Sequence, residues 1–217
     1  MISDEVLLLI VLVGAVVLHE IAHGAVALAF GDTTARDAGR LSLNPIKHID
    51  PVGSIILPAM AIFAGVPAIG WAKPVPVNVS RLRDPRRDSL YVSLAGPATN
   101  FVLMAIAAVI AHAALGDPYT ASRDTLSSPV FRVALAAALV NLGLGVFNLL
   151  PIPPLDGSAL IERVLPERWL PGWYRYRQYG MLVLFVAMFG VGFFNVSSPF
   201  AWIMNPLYDR LYSYIGS

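Results

Sequence analysis

The sequence predicts a mainly α-helical, polytopic membrane protein of about four to six membrane segments, with a small re-entrant or membrane-associated β element between the first and second good spans. Three observations predict it. Of 217 residues, 57% are hydrophobic and only 13% charged, and the mean hydropathy is +0.67, well above a soluble domain. Several apolar runs are long enough to cross a hydrocarbon core of about 30 Å. Between the first two good runs, prolines and alternating valines replace the continuous apolar pattern.

Val6 to Phe30 is the first span, closed by Gly31-Asp32. The preceding "MISDE" is acidic where a secretory leader is basic, so the run is expected to be a retained transmembrane helix. "RDAGRLSLNP" has the punctuation of a short strand around Arg40 to Leu43. Ile55 to Trp71 is apolar but carries Pro58, Gly65, Pro67 and Gly70, as expected of a poor span or a re-entrant element. Val75, Val77 and Val79 alternate with Pro74, Pro76 and Asn78; proline cannot donate to a ladder, which suits an edge strand.

Leu90 to Leu115 is a second good span and Pro129 to Leu150 a third, the latter entered through a Ser128 cap with Pro129 at the first helical position. Trp169, Trp173, Tyr174, Tyr176 and Tyr179 form an aromatic belt before a fourth span over Tyr179 to Asn195. The last twenty residues suit a short span or an interfacial helix. The whole reads as a single integral-membrane domain over 1–217, with a core of about 6–160 and C-terminal membrane segments from 176 to 217.

Composition also excludes. Without cysteine there is neither a disulfide framework nor a thiolate metal site, so a transition metal would need histidine and carboxylate. A net charge of +1 argues against nucleic acid as a partner.

The chemistry gathers in "LHEIAHG", inside the most apolar run, where an uncompensated charge costs about 2.5 to 3.5 kcal/mol on insertion scales. On a helix His19 and His23 face the same way and Glu20 lies about 100° round. Two neutral imidazoles at this spacing suit Zn²⁺, and a glutamate between them suits a general base for an attacking water. The alternatives are polar contacts between helices or a proton relay. His48 and His112 read as interfacial residues. Zinc needs a third protein ligand, and with cysteine absent the candidate is Asp156 in "NLLPIPPLDG", the only acid between Asp124 and Glu162. Alone, it would read as an ordinary Asp-Gly turn. Asn148, Asn141 and Asn100 are amides that could serve an oxyanion or join helices.

In this order, "HEIAHG", "AGPATN" and "NLLPIPPLDG" resemble the site-2 protease family of intramembrane zinc metalloproteases, over about Leu18 to Leu160. The chain looks like a compact member without a PDZ or CBS domain. The resemblance implies one Zn²⁺ held by His19, His23 and Asp156, Glu20 as catalytic base, and Asn148 as a substrate or oxyanion contact. It also implies a single-pass membrane protein or a remnant signal peptide as substrate. The edge at Val75, Val77 and Val79 is where an unwound substrate would add as a strand. A metal transporter and a catalytically inactive helix-binding scaffold compete with this reading.

Charge sets the expected orientation. Lys73, Arg81, Arg83, Arg86 and Arg87 fill one loop and Arg163, Arg168, Arg175 and Arg177 another, whereas Gly116 to Ser128 holds Arg123 alone. The first two loops are therefore expected in the cytoplasm of a bacterial-type plasma membrane, on the side of the active site, with Ile55 to Trp71 entering and leaving on that same side.

Overall fold

Helix α1 (Asp4–Ala29) begins with Asp4 and Glu5 in its first turn, where the exposed amides favour acids. It ends because Gly31 takes φ 106°, which lets Gly31 N–H donate to Leu28 O (3.0 Å) and Asp32 N–H to Ala27 O (2.9 Å), the paired bonds of a Schellman stop. The computed structural model describes residues 3–56, 60, 63, 72–116, 123–186 and 199–217. After α1 come the short α2 (Thr34–Asp37), a 3₁₀ turn at Pro45–His48 and one π turn at Pro51–Ile56. Helix α3 (Pro85–Leu115) follows, with Pro97 inside it. Its start is capped twice, since Asp84 Oδ1 accepts from Arg87 N–H (3.0 Å) while Asp88 Oδ2 accepts from Asp84 N–H (2.9 Å).

Next are α4 (Arg123–Ser127) and α5 (Pro129–Asn148). Pro129 sits where its missing N–H costs nothing, but the Ser128 hydroxyl makes no capping bond. The chain continues through α6 (Ser158–Val164), α7 (Leu170–Arg177), α8 (Gly180–Phe185) and α9 (Pro199–Ile215).

Among the described residues three helices are long and apolar enough to cross a membrane: α1, α3 and α5. The protein is an integral membrane protein, and four to six spans are not borne out. Most of Ile55 to Trp71, and the part of Tyr179 to Asn195 beyond residue 186, lie outside the described residues. At 17 residues α9 is about 26 Å long, short of a hydrocarbon core of about 30 Å, and it carries Asp209 and Arg210.

The expected β element is also corrected, for the described residues contain no strand. Around Arg40 the chain forms a second Schellman-type turn, with Gly39 at φ 64° and Arg40 N–H donating to Ala35 O (2.9 Å). Residues 74–79 run without a ladder. Their prolines have no N–H, Val75 and Asn78 donate to side chains of other elements, and Val79 begins a 3₁₀ turn, Val79–Arg81.

The chain forms two compact units. Val16–Gly96 makes one; Met1–Ala15 with Pro97–Ser217 makes the other. In the second, the core joins Ala107, Ala108 and Ala111 of α3, Phe131, Ala134, Ala138 and Leu142 of α5, and Met204, Leu211 and Ile215 of α9. Half of these are alanines, and small side chains let helices approach closely where no water drives them together. In Val16–Gly96 the apolar cluster is smaller: Ala27, Leu82 and Val92, flanked by Val26, Phe30 and Val77.

Candidate active site

His19 and His23 lie one turn apart on the same face of α1, as their spacing requires. Both are buried. Their Nε2 atoms are 3.0 Å apart, with the rings edge to face at 85°. His23 Nδ1 lies 2.7 Å from Val92 O of α3. A carbonyl can only accept, so Nδ1 carries the proton and Nε2, facing His19 Nε2, keeps its lone pair. Such an outer bond is what orients metal-ligating histidines.

Gly96, one helical turn after Val92, packs against both rings. A Cβ built there would fall 2.5 Å from His19 Cε1, His19 Nε2 and His23 Nε2. The two rings can therefore pack where they do only because position 96 has no side chain.

Glu20 points elsewhere on the helix, and its Oε2 accepts a 2.7 Å bond from Val75 N–H. The segment that supplies this amide is tied at three further points. Arg40 Nη2 donates to Lys73 O (2.7 Å), Lys73 N–H donates to His48 O (2.9 Å), and Asn78 N–H donates to Asp32 Oδ2 (2.6 Å). Asp32 is fully buried and its other oxygen accepts from Thr34 N–H (3.0 Å) and the Thr34 hydroxyl (2.5 Å). Burial alone would push its carboxyl up, but these bonds, helped by Arg81, outweigh it and hold the group below the usual aspartate range.

Asp156 follows α5 in the turn that the prolines make, where Gly157 N–H donates back to Asn148 O (2.7 Å). The residue is half-buried, with Oδ2 shielded from solvent. Asn148 Nδ2 bonds its own helix at Leu144 O (3.0 Å). Asn100 is fully buried and donates to Asn141 Oδ1 (2.8 Å), while Asn141 donates to Ala137 O (2.9 Å), the helix-joining arrangement. The two outlying histidines both have local partners. His48 is buried beside Ser42 O (2.9 Å), and His112 stacks on Tyr214. Of the proposed edge, Val75 is buried while Val79 is 46% exposed.

Two participants were not singled out in the sequence, and a third was given another role. Asp32 read only as the end of a span, Gly96 only as part of a motif, and Val75 as a strand residue rather than a donor to Glu20. The signal for Val75 was present, because prolines on either side leave its N–H isolated.

A polar turn of a membrane helix, with two paired imidazoles and a carboxylate fixed by a backbone amide, meets the needs of metal-assisted hydrolysis. The model of Peptidase family M50 matches residues 7–191. This chain belongs to peptidase family M50. The M50 protein is 41% identical over 189 residues to "Putative zinc metalloprotease YwhC" of Bacillus subtilis, covering 84% of this chain and 81% of that one. It is 33% identical over 172 residues to "Putative zinc metalloprotease Rip2" of Mycolicibacterium smegmatis, covering 79% and 62%. With "Putative zinc metalloprotease Rip3" of Mycobacterium tuberculosis it shares 31% identity over 159 residues, covering 73% and 31%. It thus spans less than two thirds of the Rip2 and Rip3 lengths. No solved structure matches it. The M50 protein is a membrane protease, and zinc is the metal that its relatives' names carry.

Proposed function

We propose that the protein is a zinc-dependent intramembrane endopeptidase that cuts a transmembrane segment of a single-pass membrane protein or a remnant signal peptide. The observation that carries this reading is the pair of buried histidine Nε2 atoms 3.0 Å apart on a membrane helix, with Glu20 between them in sequence. His19, His23 and Asp156 would hold one Zn²⁺. Two imidazoles and one carboxylate are of the number and chemistry that catalytic zinc sites use, and the two imidazoles stand side by side against Gly96. Bound, zinc supplies Lewis acidity for the scissile carbonyl and acidifies water toward neutral pH.

The chain's own groups do the rest. Val75 N–H holds Glu20 Oε2, so Oε1 takes the proton from the attacking water. The water oxygen bonds the carbonyl carbon, the peptide C–N bond breaks, and Glu20 returns the proton to the leaving nitrogen. The Val92 carbonyl keeps His23 in its ligating tautomer. The Asn148 side chain spends one amide hydrogen on Leu144 and has a second for the oxyanion. The excess of arginine and lysine in the two basic loops supports an orientation with this chemistry toward the cytoplasmic side of a plasma membrane.

The first experiment is zinc content by mass spectrometry on purified protein, for wild type and Asp156→Ala under identical washing. Near one zinc per chain, lost in the variant, is the expected result. Zinc unaffected by Asp156→Ala would remove Asp156 from the ligand set, and no zinc in either would remove the reading. Glu20→Gln should keep zinc and lose at least about 100-fold in cleavage of a single-pass reporter.

A further inference from the structure

Glycine 96 sits in α3, where a helix gains about 1 kcal/mol from alanine in place of glycine. Its neighbours explain what alanine would cost. An added Cβ meets no flexible aliphatic tip but the ring atoms of the two histidines, at 2.5 Å from three of them. Real Cβ atoms essentially never approach so closely, and the rings have little freedom to retreat. His23 is pinned by its 2.7 Å bond to Val92 O, only one turn from Gly96 on the same helix, and His19 abuts His23. Two other helical glycines differ. A Cβ at Gly14 of α1 meets nothing within 4 Å, and one at Gly145 of α5 meets only the Phe101 ring at 3.1 Å.

We infer that Gly96 is a positioning residue for the metal centre: its bare Cα lets the His19 and His23 rings stand together with their Nε2 atoms 3.0 Å apart. An ion ligated by both nitrogens lies about 2.0 to 2.1 Å from each, so a methyl group that pushes either ring out of this arrangement weakens the hold on the ion. Val92 and Gly96 thus act on the ligands in complementary ways from successive turns of α3. The carbonyl of one orients His23, and the missing side chain of the other gives both rings room to stand side by side. This inference rests on the zinc reading above.

Zinc and cobalt affinities of purified wild type, Gly14→Ala, Gly96→Ala and Gly145→Ala test it, with thermal unfolding recorded for each. Wild type and Gly14→Ala should bind one metal ion with equal affinity. Gly145→Ala should melt lower but bind as wild type, whereas Gly96→Ala should lose at least about tenfold in affinity, the lower end for disturbed outer ligand shells. The cobalt absorption of Gly96→Ala should shift or weaken. Wild-type affinity and spectrum in Gly96→Ala would overturn the inference and leave the zinc reading standing. No metal in wild type would overturn both.

Should Gly96→Ala not fold, the triple variant His19→Ala/His23→Ala/Gly96→Ala decides the matter without metal. Removing both clashing imidazoles should restore folding and bring the melting temperature in chelator close to that of His19→Ala/His23→Ala. Failure to recover would place the clash elsewhere and overturn the inference.

Discussion

In the unit Val16–Gly96 the buried polar side chains are His19, His23, Asp32, Arg40, His48 and Asp88, whereas in the unit of Met1–Ala15 and Pro97–Ser217 they are Asn100, Asn141 and Ser158, among the described residues. The first set consists of ionisable groups, five of which bond backbone. The second is neutral. The difference follows from what each unit must hold. Helices satisfy their own amides and need only close packing, which the alanines supply. The irregular stretch 72–84 cannot satisfy itself, and side chains from α1 and the turns after it serve as its partners. The chemistry lies where side chains already do this work, so Glu20 is at once the candidate base and one of the ties.

The largest expected effect that would break this comparison is at Asp32. Asp32→Ala removes the acceptor for Asn78 N–H and both Thr34 donors and should cost about 3 kcal/mol, from charged hydrogen bonds of about 1.5 to 3 kcal/mol each, partly replaced by water. Amide exchange should quicken over residues 72–84 while α5 stays protected. Equal loss of protection in both units would mean that they do not differ in this way.

Smaller is the neutral pair. Asn100→Leu and Asn141→Leu should each cost about 1 kcal/mol, with a coupling of about 0.6 to 1.7 kcal/mol in a double-mutant cycle, the range for hydrogen bonds between membrane helices. A coupling near zero would show the pair to be incidental to the packing.

The pH dependence sharpens the same contrast. The Asp32 carboxyl titrates lower folded than unfolded, so its contribution is full above the unfolded value of about 3.9 and fades as pH falls through the lower folded one. The wild-type melting temperature should drop below about pH 3.9 more steeply than that of Asp32→Asn, which has no such proton to take up. Identical slopes would remove Asp32 from the acid response. Smallest of all is the ion pair between Asp4, 78% exposed, and Arg132 at 2.6 Å. Asp4→Asn should change stability by no more than about 0.5 kcal/mol, and a larger shift in melting temperature would show the tie to matter.

How much of this could be read beforehand divides along physical lines. His19 and His23 were legible because helical spacing alone puts them on one face. The spans α1, α3 and α5 were legible because length and apolarity suffice. The strand at 74–79 was not, since alternation and proline describe a local chain, whereas the partners of Val75 and Asn78 are carboxylates 55 and 46 residues away. Gly96 was illegible for a related reason. An absent side chain has no meaning until the helix that lacks it is laid against the rings it would strike.

The bond from His23 to the Val92 carbonyl spans 69 residues, and that separation orders events during biosynthesis. When α1 first leaves the ribosome, the acceptor that selects its histidine tautomer has yet to be translated. A metal-competent pair is therefore a property of the assembled unit and not of the first helix. The nascent chain carries the motif without an oriented His23 until synthesis has passed residue 92.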